Sequence, residues 1–197
     1  HLINLEKIMK KQIIFFYFTF SLIYLFSQTT IPAGDVSGNW SLAGSPFLIE
    51  GEITIPNGEN LSVDPGVLIE FQGHYSFNVQ GQLLAVGTEQ DSIEFTIADT
   101  TGFSNVYTMI GAWSGFIFDG TSADNDSSKI VYCKINYCKN ISTYPNSIGA
   151  AFDINNFSKI LISNCRIENN IVDDHGGTLH CFSASPIIKN NIFLSNT

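Results

Sequence analysis

The stretch IEGEITIPNGENLSVDPGVLIEFQG, Ile49–Gly73, decides how the chain folds. Its last part, Leu68-Ile69-Glu70-Phe71, alternates apolar and polar side chains between turn-forming residues. A period of two puts Ile69 and Phe71 on one face of a strand and Glu70 on the other. The pattern returns in Ile93-Glu94-Phe95 and in Phe116-Ile117-Phe118, and no long helical periodicity follows residue 28.

Aligned on their apolar residues, these segments recur. Phe71, Phe95, Phe118, Phe152 and Leu179 form one series. Ile130, Ile162 and Ile188 form a second, and Gly51 and Gly81 align in a third. Intervals of roughly 25–35 residues belong to solenoids, and here each unit consists of short strands. The shorter intervals fit one turn of a parallel β-helix, a coil of two or three strands. Longer intervals are a turn plus an inserted loop, expected at Thr100–Gly111, Thr121–Ser128 and Lys139–Ser147. Asn156, Asn164, Asn169, Asn170, Asn190, Asn191 and Asn196 cluster at strand ends. There Asn tolerates left-handed backbone, and its amide can stack into ladders. A β-sandwich, the competing architecture, calls for hairpin turns. Only Asn57-Gly58 offers one, and it reads as a corner.

Ile49–Gly73 resembles the opening rungs of secreted bacterial right-handed parallel β-helix proteins of the pectate-lyase-like superfamily. GGTLHCFSASPIIKNNIFLSN, Gly176–Asn196, is similar to their repeating rung. The resemblance covers residues 46–197. It implies an all-β, right-handed parallel β-helix, here an N-terminal portion that stops inside a repeat. Such proteins include polysaccharide lyases and hydrolases as well as surface proteins without an assigned reaction, so the resemblance speaks to fold more than to activity.

Met9-Lys10-Lys11 followed by the apolar run Ile13–Phe26 has the order of a secretory signal peptide. The run is shorter than the roughly 20 apolar residues that span a bilayer. The expected organisation is therefore upstream read-through at 1–8, signal peptide at 9–27, an N-terminal cap at 28–45 and β-helix rungs from 46 to 197. The whole chain carries a net charge of −9. A cut after Ser27 removes Glu6, Lys7, Lys10 and Lys11, so the mature part is more acidic still. That balance repels nucleic acid and anionic lipid. The signal peptide predicts an extracellular protein with no membrane span in the mature chain, and the resemblance implies a polysaccharide or matrix as its partner. Cys133 and Cys165 fall at equivalent places in successive repeats, with Asn191 next in the column. Stacked strands hold their Cβ vectors parallel, so free thiols are expected there rather than a disulfide.

No nucleotide-binding loop or nucleophile elbow is present. Asp173-Asp174-His175-Gly176 shares residue types with polygalacturonase-type signatures but reads as a polar connection. Arg166, the only arginine, reads as an outward solvated residue, and Asp124-Asn125-Asp126 as a turn. The sharper expectation is an outward column. If the first series points inward, the residues that follow point out, which places Asp119, Asp153 and His180 in consecutive turns on one sheet face. Carboxylates ~5 Å apart repel, so one is protonated or a cation sits between them. Asp119 and Asp153 are thus candidate calcium ligands, and all three residues are candidates for acid/base catalysis on a glycan. Trp113, Tyr137 and Tyr144, beside the inserted loops, are candidates to stack on sugar rings.

Overall fold

The computed structural model describes residues 28–141, 149–172 and 177–197. Among them the regular structure is short strands, with a single 3-10 turn at Leu42–Gly44. The chain lays down three strands, then starts again beside the first. The opening set is β1 (Thr29–Ile31), β2 (Gly34–Asp35) and β3 (Gly38–Trp40), and the second is β4 (Phe47–Ile49), β5 (Ile53–Ile55) and β6 (Asn60–Val63). Next come β7 (Leu68–Phe71), β8 (Phe77–Val79) and β9 (Gln82–Val86), then β10 (Ile93–Ile97), β11 (Phe116–Phe118) and β12 (Ser128–Val131). The fifth set is β13 (Cys133–Asn136), the short β14 (Lys139–Asn140), β15 (Phe152–Asn155) and β16 (Ile160–Ser163). The sixth is β17 (Arg166–Glu168), β18 (Ile171–Val172), β19 (Leu179–Phe182) and β20 (Ile187–Lys189), and β21 (Ile192–Leu194) follows.

Each strand pairs in parallel with its counterpart one set on. The first sheet is β1-β4-β7-β10-β13-β17-β21, the second β19-β15-β11-β8-β5-β2 and the third β20-β16-β12-β9-β6-β3. β14 pairs with β18. This all-β, all-parallel arrangement is compatible with a β-solenoid. Its interior is the apolar half of every alternation: Ile49, Ile53, Ile55, Leu61, Ile69 and Phe71 are fully buried. Rings pack through it, Phe77 tilted against Phe116 at 5.4 Å and Phe116 stacked on Phe152 at 5.2 Å. All four cysteines are free thiols, and Cys133 and Cys165 lie one position before the paired Lys134 and Arg166. Inward residues of the last strands, Cys181, Ile188 and Phe193, have no further described strand over them and are exposed.

The register separates what the repeats predict correctly from what they do not. Ile130, Ile162 and Ile188 are direct neighbours in the third sheet, as aligned. The phenylalanine series mixes two sheets. Phe71 and Phe95 belong to the first, whereas Phe118 and Phe152 belong to the second, where Phe152 sits opposite Phe116. Gly51 lies between the first and second sheets and Gly81 between the second and third, so they occupy different corners. Residues 28–45, expected as a cap, supply the first strand of each sheet, because β1, β2 and β3 pair with β4, β5 and β6.

Two inserted loops are fastened to the side of the array. Residues 98–115, between β10 and β11, are held by Lys139, whose fully buried ammonium donates to Asn105 O, Thr108 O and Ile110 O at 3.1–3.2 Å. It also lies 4.9 Å from the centre of the Phe103 ring. Residues 119–127 are held by amides: Asn57 Nδ2 donates to Gly120 O, and Gly58 N donates to Asn125 Oδ1. Asp124-Asn125-Asp126 is thus part of a clasped turn.

Candidate functional site

The outward face of the second sheet carries the expected polar column, with one member exchanged. Its register aligns Thr54, Asn78, Ile117, Asp153 and His180. Ile117, not Asp119, is the neighbour of Asp153. The slip is of two positions, which keeps every side chain on its own face. Asp119 therefore still faces outward beside Asp153, but as a diagonal neighbour, for which Cβ separations run roughly 7–8 Å rather than ~5 Å. The expected stacked pair of carboxylates ~5 Å apart is therefore not formed. Among the described residues no group of three or more His, Cys, Asp or Glu side chains gathers as a metal site.

Asp153 and His180 do come together. His180 Nδ1 lies 2.9 Å from Asp153 Oδ1, and the two side chains are 23% and 17% exposed. A carboxylate oxygen only accepts, so Nδ1 carries a proton and donates it, and in the neutral ring the lone pair is on Nε2. Asn155 Nδ2 donates to the other carboxylate oxygen at 3.2 Å. The carboxylate is thereby held from two sides in a fixed plane. Asp119 is exposed, with Oδ1 accepting from Gly120 N.

Asp119, Asp153 and Asn155 border a cleft of about 320 Å³, whose other lining residues are Ser114, Ile117, Asn140 and Gly149. Gly149 has φ +63°, and a Cβ there would run into Phe152 O and approach His180 Cβ. The backbone can therefore pass close over the Asp153–His180 pair only as glycine. Asn155 was open to discovery from sequence, since it lies two residues after Asp153 and shares its face. Ser114 and Asn140 come from segments at strand ends, where alternation gives no direction.

The aromatic candidates fare differently. Trp113 is fully buried, stacked on Phe71 at 4.2 Å, with Nε1 donating to Asn136 O. It cannot stack on a sugar, because the chain has already re-entered the core after the inserted loop and bridges to Cys138. Tyr137 is partly buried, edge-on to Phe103 at 5.1 Å, so it seals the loop against the array. Tyr144 and the Asp173–Gly176 segment lie outside the described residues. Arg166 is exposed and paired with Glu168 at 2.7 Å, consistent with a solvated outward position. No described helix is long and apolar enough to cross a membrane.

Compared with family models, curated proteins and solved structures, the chain matches none. Class is therefore carried by the parallel strand order alone.

Proposed function

We propose that the chain is part of a secreted or cell-surface right-handed parallel β-helix, of the pectate-lyase-like kind, that binds extracellular polysaccharide along its second sheet. The observation that carries this reading is the 320 Å³ cleft, whose Asp153 carboxylate is fixed by His180 and Asn155 beside Asp119. Fixed acceptors and amides lining a cleft suit an array of sugar hydroxyls, and prior fixation lowers the ordering cost of binding. The acidic balance of the chain disfavours nucleic acid as a partner.

The Asp153–His180 contact favours a second reading, a polysaccharide lyase or hydrolase. A carboxylate that orients an imidazole through Nδ1 leaves Nε2 able to take a proton from substrate. One experiment separates the two: a panel of neutral and acidic polysaccharides is tested for retention of the protein and for release of reducing ends or unsaturated products. The binding reading expects retention without cleavage, weakened roughly tenfold in Asp153→Asn by loss of a charge-assisted hydrogen bond. Cleavage abolished in His180→Gln would establish the enzyme. Failure of every polysaccharide to retain the protein would overturn the binding reading.

A further inference from the structure

A second cavity, of about 380 Å³, lies away from the Asp153 cleft, between the corner after β7 and the inserted loop 98–115. Its walls combine two chemistries. Ile97, Met109, Ile110 and Ala112 are apolar, whereas Gln72, His74, Asp99 and Thr101 are polar. The polar groups are arranged as acceptors. His74 Nδ1 lies 3.2 Å from Ala112 O, so Nδ1–H donates and Nε2 keeps the lone pair. Burial holds this imidazole below its usual pKa; Lys139 acts in the same sense, against Ala112 O and Glu52, and the ring is neutral at pH 7. Gln72 has its Nε2 committed to Glu70 O and Oε1, which leaves its own carbonyl oxygen to accept. Asp99 accepts from Thr101 N at 2.8 Å, and bonds from Thr101 hold its carboxyl below the usual carboxylate range.

The loop wall is built in advance. Lys139 ties three of its carbonyls together, and Gly111, with φ +77°, packs so tightly on Thr100, Thr101 and Phe103 that a Cβ would strike their backbone. A pocket made of acceptors over an apolar wall suits a ligand with many O–H donors and C–H faces. It repels one that brings its own carboxylate, because the charged Asp99 lines it, whereas Lys139, the cation behind the loop wall, is fully buried with its ammonium committed to three carbonyls.

We infer that this pocket is a second, neutral-sugar subsite, which takes a hydroxyl-rich pyranose and excludes uronates. The inference rests on the polysaccharide-binding reading and narrows it to neutral glycans at this position. The test uses the full chain labelled with ¹³C at its methionine methyls. Only two methionines are present, and Met109 lines the pocket. Titration with a neutral gluco-oligosaccharide is expected to shift the Met109 methyl, and an oligogalacturonide is not. Asp99→Asn, which keeps size and the acceptor for Thr101 N, should weaken the neutral ligand roughly tenfold and relax the exclusion of the uronate. His74→Phe should weaken the neutral ligand by a similar factor.

An unmoved Met109 methyl in a protein that binds the neutral oligosaccharide, with Asp153→Asn weakening that binding, would overturn the subsite and leave the Asp153 cleft intact. A shift of Met109 abolished by Asp99→Asn but indifferent to Asp153→Asn would support the subsite and count against the cleft. Binding of neither oligosaccharide would overturn the subsite, and the polysaccharide panel would then decide the Asp153 cleft separately.

Discussion

The turns before residue 131 and those after it build the same three-sheet array with different corners. Before it, every described residue with positive φ is glycine; after it, Tyr132, Tyr137, Asn156, Asn164, Asn169, Ser183, Asn190 and Ser195 take that conformation, at φ 50–59°. A left-handed residue with a Cβ costs about 1–2 kcal/mol unless local bonds offset it. The offset is visible in the next residue along. Asn170 Oδ1 accepts from Cys138 N, and Asn196 Oδ1 accepts from Asn170 N. In the neighbouring corner Asn191 Oδ1 accepts from Cys165 N. Each amide then donates downward, Asn191 to Ile162 O and Asn196 to Ile167 O, both at 2.9 Å. Early turns thus rely on an aromatic interior and permissive corners, and later turns on a ladder that makes one turn satisfy the backbone of the turn before.

Removing the centre of the interior should have the largest effect. Phe116 touches Phe77, Phe95, Trp113 and Phe152, with ring centres 5.0–5.4 Å away. Phe116→Ala should cost about 3–5 kcal/mol in chemical denaturation. A loss under about 1 kcal/mol, far below the usual cost of such a truncation, would mean that the aromatic stack is not what holds the early turns together.

That interior was also the part most legible in the sequence, and the limit of legibility can be located. Alternation told inside from outside at every strand used, because a period of two survives any shift by two. It did not identify which sheet a strand joins. The interval from Phe95 to Phe118 looked like one turn, but it is one corner enlarged by the loop 98–115; the true partner of Phe95 is Ile135, in the next set of strands. Ile130, Ile162 and Ile188 were placed correctly because their strands are true partners, each followed at once by a tight left-handed corner, at Tyr132, Asn164 and Asn190, that no loop enlarges. Asp153 and His180 were brought together for the same reason, since Phe152 and Leu179 are true partners. Asp119 was displaced by the misplaced Phe118. The His74 pocket was invisible because its walls come from a corner and an insertion, neither of which carries a period.

An intermediate effect is expected from the ladder. Asn170 is fully buried and serves Cys138 N with its oxygen and Asn196 Oδ1 with its nitrogen. Asn170→Ala leaves Cys138 N without a partner, which costs about 2–3 kcal/mol with the associated bonds. Native-state hydrogen exchange should show the loss of protection in the turns after residue 132 and spare β4–β9. Uniform loss across the chain would mean that the two regions unfold as one and that the corner chemistry makes no energetic division.

The smallest effect tests whether the cysteines are places where the ladder is incomplete. Cys165 Sγ donates to Ile130 O at 3.3 Å, and Asn191 Nδ2 donates to Ile162 O, which is the direct neighbour of Ile130. Thiol and amide therefore do the same task one turn apart, the thiol more weakly. The amide adds a second bond, because Asn191 Oδ1 also accepts from Cys165 N. Cys165→Asn would supply an oxygen facing Cys133 N and a nitrogen facing Ile130 O. It should raise stability by about 0.5–1.5 kcal/mol, one net hydrogen bond. Cys165→Val, which fills the site without a donor, should instead lower it by about 1–2 kcal/mol, since Ile130 O loses its side-chain donor. The pair of variants matters more than either alone. Equal destabilisation of both would show that the site recognises sulfur size and not the ladder's bonding, and the likeness between Cys165 and Asn191 would then be one of position only.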